Sequence, residues 1–286
     1  MSRRGNLEEK LSSIENLPSL PLVMRQIQKI MENPKSNMNQ IAQVIAKDQA
    51  LASKTIKLVN SAFYGMSKKV TSISQAIIIL GLNTVNNLMM AISVVKMFTN
   101  TGEKPIFNQE EFWEHSFATA LIARLIAKKI YYDDPEVCFI SGLIHDIGRL
   151  VYDQFLHNDF LKAYTLSKEK NVALIQLEEA ILGGDHTFAG GYLSTKWKLP
   201  PEIYSSIRFH HSVFEVPQDY SQHSKVITIV AKANQIANKE GIGSSGDNYI
   251  TPDNSIPPLK IDQREIDSIV ESVKSEIKST IREWHK

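Results

Sequence analysis

The sequence carries a single cysteine, Cys138, in 286 residues. No intrachain disulfide can form, and multi-cysteine zinc sites are excluded. Cys138 lies in an apolar run and is read as a small buried residue. A charge excess of either sign is also missing, with 32 Lys and Arg against 31 Asp and Glu. A dedicated nucleic-acid binder carries a strong basic surplus, so DNA is not an expected partner. No run of ~18 apolar residues occurs, and the N-terminal segment lacks the apolar stretch of a secretory leader. The expected compartment is therefore the cytoplasm, without a membrane partner. Period-two alternation is absent, which leaves no convincing strand. No repeat of solenoid period occurs either.

What is there is helical periodicity in an ordinary globular composition, 43% hydrophobic and 22% charged. After Ser19 and Pro21, Leu22, Val23, Ile27, Ile30 and Met31 recur at helical spacing. Pro34 stops that helix. Ser36 or Asn37 caps the next one and Asp48 the third. Ser74 is expected to open a helix that Gly81 ends, and Asn83 to cap a long helix running to about Phe98. Residues 100–105, with Gly and Pro among polar neighbours, read as a linker. The expected fold is all-α, with an N-terminal helical bundle over residues 1–100 packed on a C-terminal helical bundle over residues 105–286.

In the second part, a long helix from Gln109 carries His115. Pro135 starts a helix expected to run to about Phe155. Asp185 caps a helix bearing His186, and a short helix after Pro200 ends at His210 and His211. Residues 241–256, rich in Gly, Ser, Asn, Asp and Pro, read as a loose surface loop.

Eight histidines are present, and the segment of most interest is Gly142-Leu-Ile-His145-Asp146-Ile-Gly148-Arg149. An adjacent imidazole and carboxylate can serve neighbouring metal positions, and these donors suit iron, manganese, zinc or nickel. A bound metal makes hydroxide available near neutral pH, and two ions can clamp a phosphoryl group. Taken alone, a His-Asp pair is more often a hydrogen-bonded structural pair. Arg149, one turn after His145, is either a phosphate ligand or a solvated helix arginine. His157, His223 and His285 lack such neighbours and are read as surface residues.

A set of motifs carries a resemblance. The first part reads Leu17-Pro18-Ser-Leu20-Pro21, Ile45-Ala-Lys-Asp48-Gln-Ala50-Leu51, Leu58-Val-Asn60-Ser61-Ala62-Phe63-Tyr-Gly65, Ile73-Ser-Gln-Ala76-Ile and Leu80-Gly81. The second part reads His115, His145-Asp146-Ile-Gly148, His186-Thr-Phe-Ala-Gly190, Trp197-Lys-Leu199-Pro200 and His210-His211. Over about residues 14–240 the chain resembles the HDOD (HD-related output domain) family, within the HD metal-dependent phosphohydrolase superfamily.

The resemblance implies an HD-like helical bundle. It makes His115, His145, Asp146, His186, His210 and His211 ligands for one or two ions, with Asp146 the catalytic residue if the site is active. Two departures accompany it. Asn234 stands where HD enzymes carry a late aspartate. Ser212 follows His210-His211 where cyclic-dinucleotide phosphodiesterases carry Glu, and their Gly-Tyr-Pro signature is missing. The resemblance therefore implies a bacterial signal-transduction output protein acting through protein contacts, with a nucleotide as a further ligand. The alternative is a metal-dependent phosphohydrolase acting on a nucleotide or another phosphoester.

Overall fold

A computed structural model of the chain describes residues 3–31, 33, 38–61, 64, 66–98, 104–247 and 252–284. Among them the fold is all-α, with helices, short 3-10 turns and no strand. In chain order the helices are α1 (Arg3–Ser12), α2 (Leu22–Met31), α3 (Met38–Ala46), α4 (Gln49–Val59), α5 (Ile73–Leu80) and α6 (Leu82–Phe98). There follow α7 (Gln109–Lys129), α8 (Pro135–Ile144), α9 (Ile147–Phe155), α10 (His157–Lys170) and α11 (Leu174–Leu182). The last are α12 (His186–Lys196), α13 (Pro201–Phe209), α14 (Ser224–Lys239) and α15 (Gln263–Trp284). Among the described residues no helix is long and apolar enough to cross a membrane.

The chain divides into two compact units, and the division differs from the expected cut at residues 100–105. One unit takes Ser19–Phe98 with Lys274–Lys286; the other takes Met1–Pro18 with Thr99–Val273. The N-terminal helix α1 therefore belongs with the later helices. The reason is local: Leu7 and Leu11 are fully buried, Leu7 lies against Gly184, and Lys10 pairs with Asp159 of α10 at 3.2 Å. Just beyond α1, the Trp197 indole N–H donates to the Pro18 carbonyl at 2.8 Å. With only two apolar positions, α1 gives little periodicity to read.

In the Ser19–Phe98 unit, α2, α4 and α5 pack against α6, and α3 packs against α2, α4 and α5. Asp48 caps α4 by accepting from the Leu51 amide. Ser72 caps α5, two residues before the expected Ser74, and Gly81 closes it at φ 85°. Because Gly81 turns the chain so sharply, α6 begins at Leu82, and Asn83 lies inside the helix.

In the other unit, α7 packs against α8 and α14, α9 against α12, and α13 against α8, α12 and α14. Asn108, Asp134 and Asp185 cap α7, α8 and α12 through their carboxylate or amide oxygens. The single helix expected from Pro135 to about Phe155 is instead two, broken at His145 and Asp146. Cys138 is buried as expected, and burial pushes its thiol pKa up. His157 and His223, expected on the surface, are half-buried beside Asp153 and Glu202. His285 lies outside the described residues.

Candidate metal centre

The break between α8 and α9 is what makes the site. His145 ends α8 and Asp146 begins α9, and both side chains join one cluster instead of diverging around a continuous helix. Asp146 makes no helix-capping hydrogen bond, which leaves its carboxylate to the cavity. Gly148 sets the spacing of the next element. A Cβ there would collide with the His186 carbonyl, so only glycine lets α9 and α12 approach this closely. That approach places the His186 Nε2 3.0 Å from Asp146 Oδ1.

The remaining donors come from α7 and the end of α13. His115 lies mid-way along α7, its ring centroid 5.4 Å from that of His145. His210 and His211 follow the last turn of α13, with ring centroids 4.2 Å apart. They follow the helix end, and donor atoms of both join one group. Donor atoms of Asp146, His186, His210 and His211 lie within 4.8 Å of one another, as do those of His115, His145 and Asp146. All six expected residues thus converge, and Asp146 belongs to both groups.

The donor set fits a metal on three observations. First, the inward atoms are orphaned. Nε2 of His145, His186, His210 and His211, both ring nitrogens of His115 and Oδ1 of Asp146 are buried and make no hydrogen bond of good geometry, the nearest approaches being those of His145, His186 and His210 Nε2 to the Asp146 carboxylate at 3.0 to 3.4 Å. Buried polar atoms are nearly always satisfied, so a cluster of exceptions calls for an explanation such as an ion. Second, the outward nitrogens are held. His145 Nδ1 lies 2.7 Å from the Gly142 carbonyl, His210 Nδ1 3.0 Å from that of Ile207, and His186 Nδ1 2.6 Å from Glu178 Oε2. Such contacts fix each ring with its Nε2 lone pair facing inward.

Third, the electrostatics favour ionised carboxylates and, at His115, His210 and His211, neutral imidazoles. Burial, reinforced by His145, takes His115 down to about 3. Burial likewise takes His210 down to about 4, against the pull of Asp146, and holds His211 well below its usual range. Burial opposes ionisation of Asp146, but His145, Arg149 and His186 outweigh it and hold that carboxyl well below the ordinary range. Glu178 is drawn down to about 2, His186 and Arg149 overcoming burial. For His186 burial again works downward, yet the Glu178 carboxylate prevails and raises it to about 9.

Arg149 is not the solvated helix arginine that the sequence also allowed. It is 1% exposed. Its Nε donates to Glu178 at 3.0 Å, Nη1 to Asp146 at 3.3 Å and to the Ser245 hydroxyl at 2.7 Å, and Nη2 to Asp247 at 3.1 Å. Three of these partners were not anticipated. Glu178 could have been found: with Leu174 and Leu182 it forms the buried stripe of α11, and an acid on an apolar i, i+4, i+8 stripe needs a partner. Ser245 and Asp247 carried no such signal, lying in the segment expected to be a loose surface loop. Of its described residues, 241–247 are built into the site instead, with Ser245 2% exposed, and Pro252 and Ser255 border the same cavity. Asn234, on α14, is buried and borders the same cavity of about 210 Å³ as Asp146, Arg149 and His211. Its Oδ1 accepts from Asn238.

The HDOD domain family, by its sequence model, matches residues 17–213. An uncharacterised protein of Treponema pallidum (strain Nichols) is 29% identical over 225 residues, which are 77% of this chain and 42% of that protein. The chain thus spans about two fifths of the length of this curated relative. A solved HDOD domain protein from Geobacter sulfurreducens superposes with a TM-score of 0.81 at 25% identity, covering 99% of this chain and 98% of that one. A Marinobacter aquaeolei VT8 chain, provisionally named a signal transduction protein, gives a TM-score of 0.75 at 19% identity and covers 99% of this chain and 66% of its own. That second likeness speaks to fold alone.

Proposed function

The chain belongs to the HDOD domain family, and from that premise we propose that it is a regulatory signal-transduction protein of the bacterial cytoplasm. It acts through protein contacts, and its histidine-aspartate cluster holds one or two transition-metal ions. The observation that carries this reading is the set of orphaned, inward-facing donor atoms around Asp146. His145, His186, His210 and His211 would supply Nε2 donors, and Asp146 would lie between the two groups. Imidazole with carboxylate favours iron, manganese, zinc or nickel over the harder cations. Protein contact is supported by Ile78 and Ile79, side by side on α5, which are exposed; exposed apolar neighbours are common at interaction surfaces.

The second reading, a metal-dependent phosphohydrolase acting on a nucleotide or another phosphoester, is favoured by the sharing of Asp146 between the two donor groups. When bound, such ions would supply hydroxide near neutral pH and charge stabilisation for a phosphoryl group. Asn234 weighs against it, because a neutral amide stands where HD enzymes carry a carboxylate. The regulatory reading predicts no phosphoester hydrolysis at enzymatic rates by metal-loaded protein. Turnover with nucleotide or generic phosphodiester substrates that disappears in His145→Ala would replace it with the second reading.

A further inference from the structure

The segment after α14 crosses the mouth of the cluster as a strap. It has no helical hydrogen bonding of its own, and Gly241, Gly243 and Gly246 all adopt positive φ, at 63°, 61° and 97°. The strap is pinned at two points. At Gly243 it lies flush on α7, where a Cβ would strike the backbone of Glu111 and His115, and the Ser244 amide donates to the Glu111 carbonyl at 2.9 Å. At Asp247 the Leu174 amide, opening α11, donates to Oδ1 at 3.3 Å.

Between these pins the strap holds Arg149. The inner side of the guanidinium is taken by Glu178 and Asp146, which belong to the helices. Among the described residues the outer side is taken by the strap, through the Ser245 carbonyl at 3.2 Å, the Ser245 hydroxyl and the Asp247 carboxylate. A guanidinium fork matches the paired oxygens of a carboxylate and of a phosphoryl group equally well. The cavity of about 210 Å³ that Asp247 borders also touches Asp146, His211 and Asn234. An anion replacing the Asp247 carboxylate on Arg149 would therefore stand beside the metal donors. The space is smaller than the ~300 Å³ at which sites for small organic ligands begin, so it admits a phosphate-sized group with the strap in place.

We propose that Asp247 is a built-in competitor for a phosphoryl ligand: the strap closes the cluster by giving Arg149 an internal carboxylate, and a phosphate group opens it by taking that place. This rests on the cluster being a metal site, because the charge count depends on it. With one divalent ion in the cluster, Arg149 and the ion together match the charge of Asp146, Glu178 and Asp247. Withdrawing Asp247 then leaves one positive charge in a buried place, which an incoming phosphoryl oxygen neutralises.

The test is inorganic phosphate and adenosine monophosphate binding to purified full-length protein of measured metal content, by calorimetry, with amide hydrogen exchange on residues 241–247. A charged hydrogen bond is worth about 1.5–3 kcal/mol, so Asp247→Asn should bind phosphate about ten- to a hundredfold more tightly than the wild type. In the wild type, saturating phosphate should speed exchange of the Ser244 and Gly246 amides, a readout that needs no variant. Nucleotide binding with the same gain on Asp247→Asn identifies a phosphomonoester ligand; a gain for phosphate only identifies the free anion. Equal affinities in the two proteins, unchanged strap exchange at saturation, or no binding of either probe would overturn the proposal. Metal retained without a strap response defeats this inference alone, whereas absence of metal with a strap response defeats the metal reading alone.

Discussion

The two units bury different chemistry. Among the described residues of Ser19–Phe98 the interior holds Met24, Ile27, Ile41, Ile45, Leu58 and the apolar length of α6, with Thr, Ser and Asn as its buried polar residues and no buried charge. The interior of the other unit holds His115, His145, Asp146, Arg149, Glu178, His186 and His210, all at most 3% exposed. An apolar interior is stabilised roughly in proportion to the area removed from water and is indifferent to pH. A titratable interior is stable only while every charge has its partner. The difference teaches that the histidine unit has a titratable core and the α2–α6 unit, among its described residues, an uncharged one.

The comparison can be sharpened in order of expected effect. Loading with metal at about a thousandfold above its dissociation constant should stabilise the histidine unit by ~4 kcal/mol. Hydrogen exchange should then slow across α9 and α12 and stay unchanged across α4. Next, Glu178→Gln removes one member of the Arg149–His186 network and should destabilise by about 3–5 kcal/mol, whereas Ile27→Val in the apolar unit should lose about 1 kcal/mol. Equal losses in denaturant titration would erase the contrast.

Acid should divide the units as well. His115 and His210 have folded values of about 3 and 4, and His211 is also lowered. Their unfolded value is about 6.5, so the unfolded chain binds more protons as the pH falls below that value. In metal-free protein the histidine unit should therefore lose about 1.4 kcal/mol per pH unit for each of these groups. His186, raised to about 9, has the opposite sign: its contribution is present below pH 6.5 and is lost as the pH rises through 9. Metal-free stability should thus peak close to neutrality. A flat profile from pH 7 to 5, followed by circular dichroism, would contradict the assigned charge states. The smallest effect is expected for Ile78→Ser on the exposed face of α5, within about 0.5 kcal/mol of the parent in stability, with loss of partner binding as its only phenotype.

The all-α class was legible because helical spacing is a local signal, whereas the six residues of the cluster were named by the resemblance to the HDOD family and not by their spacing. Asp48 and Asp185 announced their caps by local signals too. The break at His145-Asp146 was not legible, since no Gly or Pro punctuates it; the packing of α9 against α12 through Gly148 imposes it. The membership of α1 was hidden because its two leucines are meaningful only in contact with distant helices. The same holds for residues 241–247: polar, glycine-rich composition gave a loose loop, and only the buried Arg149 explains why Ser245 and Asp247 turn inward.

The central claim is tested most directly by elemental analysis of protein purified without chelators or a metal-affinity tag, alongside Asp146→Ala. The account predicts one or two transition-metal ions per wild-type chain and a loss of that metal in the folded variant. Wild-type protein that arrives metal-free and fails to retain iron, manganese, zinc or nickel after reconstitution and desalting would contradict it.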